Sequence, residues 1–210
     1  MSICEYDLGD IGFILILKAL EKGCREVVSA SGGNAGLSTA ISARLLGLGC
    51  RVFVHKSASL GIISLIEEEG AQVEVVGNVW NEAHDHAMKI CKDSPASCYI
   101  HPFDDQILWS GHSTIIDELA EDLGITPSLI ISSCGGGGLI CGLIQGMRRH
   151  GWHSVPILAM ETFGANSLNA AVSAGFPVKP VVLDSITSIA CLGALSICQQ
   201  LADFYNEASP

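Results

Sequence analysis

Short apolar runs alternate along this chain with longer amphipathic stretches. Residues 129–131, Leu-Ile-Ile, form one such run and predict a buried strand. Four glycines follow at 135–138. Residues 139–147 then return to apolar and small side chains at spacings suited to a helix packed on a sheet. An earlier stretch repeats this order: a strand at 26–30, a glycine-rich turn at 31–36 and an Ala-rich helix at 37–46. Further strands are expected at 51–55, 73–76, 99–100 and 155–160. Further helices are expected at 11–22, 60–69, 79–92, 107–123, 167–174 and 195–205. Gly23 and Gly70 stand where helices stop, and Gly124 and Pro127 lead into the central strand. Residues 1–10 carry no clear pattern.

Strands and helices that alternate with short links predict an α/β fold, with a parallel sheet and helices on both faces. Ligands in such folds bind outside the carboxyl ends of strands. Both glycine turns and Glu161 fall there, at positions that can converge on one cleft. The stretch from Asp104 to Trp109 is the expected handover between a smaller lobe, 1–105, and a larger one, 106–210.

Composition narrows the class. At 210 residues, 49% apolar and 16% charged, the chain can bury a real core. A formal net charge of −11 disfavours nucleic acid and anionic membrane as partners. The apolar run at 11–17 is too short to span a bilayer. The nine cysteines (Cys4, Cys24, Cys50, Cys91, Cys98, Cys134, Cys141, Cys191 and Cys198) lie in apolar segments without C-x-x-C spacing. Buried reduced thiols in a cytoplasmic protein are expected.

The glycine turns carry the candidate chemistry. Glycines let backbone N–H groups approach an oxyanion closely, and a helix N-terminus adds unpaired donors and a positive dipole end. A dinucleotide fingerprint fails, because the required third glycine is Ile140 in one register and Cys141 in the other. No Gly-Lys-Ser/Thr tripeptide exists, so a nucleoside triphosphate loop is excluded. A lone phosphate fits better. Ser31 and Asn34 equip the other turn for a carboxylate or a phenolic oxygen. One phosphate site and one small-anion site together suggest pyridoxal phosphate with an amino acid.

Five segments then carry a resemblance. Ser-Gly-Gly-Asn-Ala-Gly (31–36), His-Pro-Phe-Asp-Asp (101–105), Gly-Gly-Gly-Gly-Leu-Ile-Cys-Gly (135–142), Met-Glu-Thr-Phe-Gly-Ala (160–165) and Ile-Thr-Ser (186–188) resemble the serine/threonine dehydratases in order and approximate spacing. These are fold-type II pyridoxal-phosphate enzymes, and the animal-type L-serine dehydratases and serine dehydratase-like proteins are the nearest likeness. The resemblance implies a two-lobed fold like the tryptophan synthase β-subunit, a homodimer, and a lyase that deaminates L-serine or L-threonine. It also implies roles. Gly135, Gly136, Gly137, Gly138 and Leu139 would grip the cofactor phosphate. Ser31, Gly32, Gly33, Asn34 and Ala35 would take the substrate carboxylate, with Asn34 also near the pyridine 3′ oxygen. Cys191 would pack on the pyridine ring. Glu161, Ala165 and Ser167 would hold a monovalent cation such as K+.

Two departures stand against that pattern. The family's Schiff-base lysine lies in Ser-Phe-Lys-Ile-Arg-Gly, just before the first helix. Alignment on Ile11 and Gly12 puts Asp7 in the lysine slot and Tyr6 in the ring-stacking slot, and a one-residue shift puts Leu8 there. None of the six lysines (Lys18, Lys22, Lys56, Lys89, Lys92 and Lys179) lies beside a motif. The family pattern also continues past Tyr205. The chain is therefore expected to be incomplete at both ends, either as a fragment or as a degenerate paralogue that binds a ligand or a subunit without catalysis. His84 and His86 are expected on solvated surface, His101 and His112 in structural roles, Asp104 and Asp105 as hydrogen-bonding groups, and Trp80, Trp109 and Trp152 in packing.

Overall fold

A computed structural model describes residues 4–176 and 194–208, with side chains from residue 12 onward. The chain divides into two compact units, Met1–Pro102 and Phe103–Pro210.

The first unit is a four-stranded parallel sheet of order β3-β2-β1-β4. Its strands are β1 (Glu26–Ala30), β2 (Gly49–Val54), β3 (Gln72–Val75) and β4 (Ser97–Ile100). The helices are α1 (Cys4–Glu21), α2 (Asn34–Leu46), α3 (Leu60–Glu68) and α4 (Trp80–Asp93). β1 is central, and Val27 to Ala30 are buried on both faces, as a parallel strand between helical layers requires. On one face α4 sets Ala83 and Ala87 against Val28, Ala30 and Phe53. Elsewhere in the unit α1 lies against α2. There an added Cβ on Gly12 would fall 2.1 Å from Ser38 Oγ and 3.3 Å from Ser38 Cβ, so a side chain at that position would have to displace Ser38.

The second unit contains β5 (Ile130–Ser133) and β6 (Ile157–Met160), which pair in parallel with Ile130 opposite Ile157. Around them stand α5 (Gln106–His112), α6 (Thr114–Leu123), α7 (Gly138–Arg149), α8 (Ser167–Ser173) and α9 (Gln199–Ala208). Ile116, Leu143, Met147, Trp152 and Val155 form the core. The other face of the β5–β6 pair shows Ile131, Leu158 and Met160 to solvent. Among the described residues no helix is long and apolar enough to cross a membrane.

Several local expectations change. The first helix begins at Cys4, not residue 11. α2 begins at Asn34, so half of the expected 31–36 turn is the first turn of a helix. The single helix expected over 107–123 breaks at Ser113 into α5 and α6. Side-chain bonds inside the turn compete with the helix there: Ser113 Oγ donates to Ser110 O and Thr114 Oγ1 to Gly111 O. Arg149 then donates to Ser113 O, occupying a carbonyl that a continuous helix would use. The expectation of reduced thiols throughout also fails, because Cys24 and Cys98 form a disulfide. Parallel pairing sets Val27 opposite Cys98 and leaves the two cysteine Cα atoms 6.0 Å apart, within the span of that bond.

Candidate functional site

The strand β5 ends at Ser133, and Cys134 donates its amide to Met160 O at 2.9 Å, closing the β5–β6 ladder. Gly135, Gly136 and Gly137 then carry the chain to α7. Gly137 is its N-cap and has φ +94°, a conformation that glycine adopts without steric cost. Space enforces the same choice. An added Cβ would fall 2.6 Å from Leu201 Cδ2 at Gly137, 2.3 Å from the Phe103 ring at Gly136, and 2.3 Å from Phe103 O at Gly138. The loop is anchored from outside by Cys198, whose amide donates to Gly136 O at 2.8 Å.

These constraints leave six amides in a row, those of residues 135–140, with no protein acceptor among the described residues. Buried amides without partners are uncommon in folded proteins. Here they cluster at the positive end of a twelve-residue helix. That arrangement, cradled where no side chain fits, suits a dianionic phosphate. Burial also pushes the Cys134 thiol up to about 12, and the charge of Glu161 adds to it, so no thiolate at Cys134 repels an anion.

The other loop, in the first unit, follows β1. Gly33 caps α2 in an extended conformation with no side-chain bond, and the amides of residues 32–36 have no protein acceptor among the described residues. A Cβ on Gly36 would fall 2.1 Å from Ser31 O, and one on Gly32 would fall 2.8 Å from Ala58 Cβ. Ser31 and Ala35 are half-buried and Asn34 is exposed. Short donors without a capping side chain can take a small anion such as a carboxylate.

Glu161 follows β6. Its two carboxylate oxygens accept from the amides of Leu168 and Asn169, each at 2.8 Å. The side chain thus caps α8, although it lies well upstream of that helix. Ala165 is buried and donates its amide to Thr162 O, while Ser167 Oγ donates to Ala194 O. Glu161, Ala165 and Ser167 therefore share one short segment. Among the described residues no group of three or more acidic, histidine or cysteine side chains could hold a metal. Cys191 and the 186–188 motif lie outside the described residues, and so do the side chains of Tyr6, Asp7 and Leu8. The backbone places Asp7 within α1.

One cluster departs from the expectation of solvated surface. His84 is half-buried, stacks on Trp80 with ring centroids 4.8 Å apart, and shares a 2.7 Å hydrogen bond with Tyr99 Oη. His101 packs edge-on against the same three rings, and burial, helped by His84, pushes it down to about 4. His86 faces Phe53 instead. The signal was present in the sequence: Trp80 and His84 are four apart on a helix and so share a face. Asp105 is the N-cap of α5, accepting from Ile107 N at 2.7 Å.

With this geometry in view, the class of the chain follows from its relatives. A family model described as pyridoxal-phosphate dependent enzyme matches residues 10–205, and the chain belongs to that family. It is 44% identical over 204 residues to the L-serine dehydratase/L-threonine deaminase of Mus musculus, covering 97% of this chain and 61% of that protein. It is 39% identical over 194 residues to a serine dehydratase-like protein of Homo sapiens, covering 89% and 58%. Among solved structures, a fungal L-serine ammonia-lyase from Rhizomucor miehei superposes with a TM-score of 0.80 at 29% identity, covering 94% and 63%. The chain thus spans about three-fifths of the length of the relatives it matches. The fold is that of the fold-type II pyridoxal-phosphate enzymes.

Proposed function

We propose that this chain carries the binding apparatus of a pyridoxal-phosphate-dependent L-serine/L-threonine ammonia-lyase, which converts L-serine to pyruvate and ammonia and L-threonine to 2-oxobutanoate and ammonia. The observation that carries this reading is the row of amides at 135–140 that have no protein acceptor among the described residues. When bound, pyridoxal phosphate supplies an electron sink for charge developing at an amino acid's α-carbon. Gly135, Gly136, Gly137, Gly138 and Leu139 hold its phosphate through main-chain N–H groups. Ser31, Gly32, Gly33, Asn34 and Ala35 hold the substrate carboxylate, fixing which α-carbon bond is presented, with Asn34 also near the pyridine 3′ oxygen. An ionised carboxylate has about four lone-pair directions, so Glu161 retains acceptor capacity for K+ beside the two amides it caps. The Ala165 carbonyl and Ser167 complete that site.

By the family resemblance the lysine slot falls on Asp7, or on Leu8 with a one-residue shift, and neither side chain can form an imine. The chain by itself therefore binds the cofactor reversibly and moves no α-proton. A fragment of a longer cytoplasmic, homodimeric enzyme accounts for this. A second reading, an inactive paralogue that binds a ligand or subunit, draws on the solvent-facing apolar residues Ile131, Leu158, Met160 and Phe163. Calorimetric titration with pyridoxal phosphate, repeated with inorganic phosphate as competitor, tests the main reading. Saturable binding that phosphate displaces is expected, and borohydride treatment should leave the protein mass unchanged. Absence of binding, or a lysine adduct in the mass spectrum, refutes it.

A further inference from the structure

The glycine loop rests on Phe103. Its ring lies against Gly136 and its carbonyl oxygen against Gly138, each at the 2.3 Å that an added Cβ would find. That carbonyl is held by Trp109, whose indole Nε1–H donates to it at 2.7 Å. Trp109 is buried, and its backbone is fixed on both sides. Its amide donates to Asp105 O at 3.0 Å, and its carbonyl accepts from Ser113 N at 2.9 Å. Asp105 caps the same helix. The indole is buried, so it cannot turn away without displacing the side chains packed around it.

We propose that Trp109 is a positioning residue for the phosphate loop. Its indole N–H holds the Phe103 carbonyl off the amides of residues 135–140 and so keeps those donors available to an anion. This rests on the phosphate reading given above. A carbonyl oxygen is a strong acceptor with two lone pairs. Beside it stand amides that lack protein acceptors among the described residues, on a loop whose Gly138 lies against that same oxygen. Without the indole donor, the carbonyl accepts from one of those amides. The loop then closes on itself, and the anion loses a donor.

Trp109→Phe keeps an aromatic ring and deletes the N–H. The Kd for inorganic phosphate and for pyridoxal phosphate should rise about tenfold, the effect of one hydrogen bond to a charged group. Trp109→His, which restores a ring N–H, should recover part of the affinity. Trp152→Phe alters another buried indole, in the core of the same unit, and should leave affinity unchanged. Amide hydrogen exchange of residues 135–140 in the ligand-free chain gives a second readout. It should slow in Trp109→Phe and stay unchanged in Trp152→Phe.

Phosphate binding within twofold of wild type in Trp109→Phe refutes the positioning role and leaves the phosphate reading standing, as does an equal loss in both phenylalanine variants. A wild-type chain that binds no phosphate refutes the phosphate reading. The ligand-free exchange then decides whether Trp109 restrains the loop. Should Trp109→Phe not fold, Trp109 emission in a Trp80→Phe/Trp152→Phe background serves instead. Phosphate should shift it, and an unmoved spectrum at saturation overturns the proposal.

Discussion

Replacing Gly136 with alanine adds one methyl group where the structure has no room for it. The new carbon would stand 2.3 Å from Cγ and Cδ2 of Phe103 and 2.6 Å from Cε2, where ordinary carbon contacts begin near 3.5 Å. Either the ring or the loop must move by roughly an ångström. Overpacking of this kind typically costs about 1–3 kcal/mol. For a chain of this length that is a fall in melting temperature of about 2–12 °C. Where the loop rather than the ring gives way, its amides shift and phosphate affinity falls together with stability. Thermal melts followed by circular dichroism, paired with phosphate titration, read both effects. Gly61→Ala provides the contrast. Within α3 its nearest obstacle is Ser59 Oγ at 3.6 Å, and alanine there should stabilise by about 0.5–1 kcal/mol. Phe103→Leu in the Gly136→Ala background should return part of the loss, as expected for residues in direct contact. A Gly136→Ala protein that melts within 1 °C of wild type and binds phosphate equally would refute the steric account.

Other perturbations reach different parts of the fold. His101 and His112, each pushed down to about 4 by burial, stay neutral in the folded chain and gain a proton on unfolding below about 6.5. Urea midpoints should therefore hold steady above pH 6.5 and fall as pH drops from there toward 4, by at most about 1.4 kcal/mol per pH unit for each histidine. His101→Gln should flatten that slope, and an unchanged slope counts against the burial of His101. Glu161→Gln removes a charge from the start of α8 and should cost about 0.5–2 kcal/mol. It should also abolish any extra stabilisation by K+ over Na+ in thermal shift, and a K+ effect that persists removes Glu161 from the cation site. Reduction of Cys24–Cys98, which spans 74 residues of sequence, should destabilise by about 4 kcal/mol in denaturant melts. Peptide mapping without reductant should recover the linked pair, and two free thiols there would refute the pairing.

How much of this was legible in the sequence differs from element to element. The strand at 26–30 and the helix after the four glycines could be read directly, because apolar period and glycine punctuation are local signals. The break in the helix over 107–123 could not, since hydroxyls can bond back to the turn in a continuous helix as well, and the Arg149 contact with Ser113 O comes from a different helix. Glu161 was placed correctly at a strand end, yet its grip on the amides of Leu168 and Asn169 needed the chain to double back. His84 read as surface: its helical spacing from Trp80 was legible, but the closure of Tyr99 and His101 over it from outside the helix was not.

The order of elements, the α/β class and the choice of glycine at 135–138 follow from the residues alone. Each reflects a property of single residues or of short windows, such as period, missing Cβ or missing charge. Only folding decided that six amides would find no acceptor among the described residues, that Phe103 and Trp109 would stand behind them, and that Cys24 would meet Cys98. Those outcomes depend on which distant segments come to share a volume, and no local pattern encodes that.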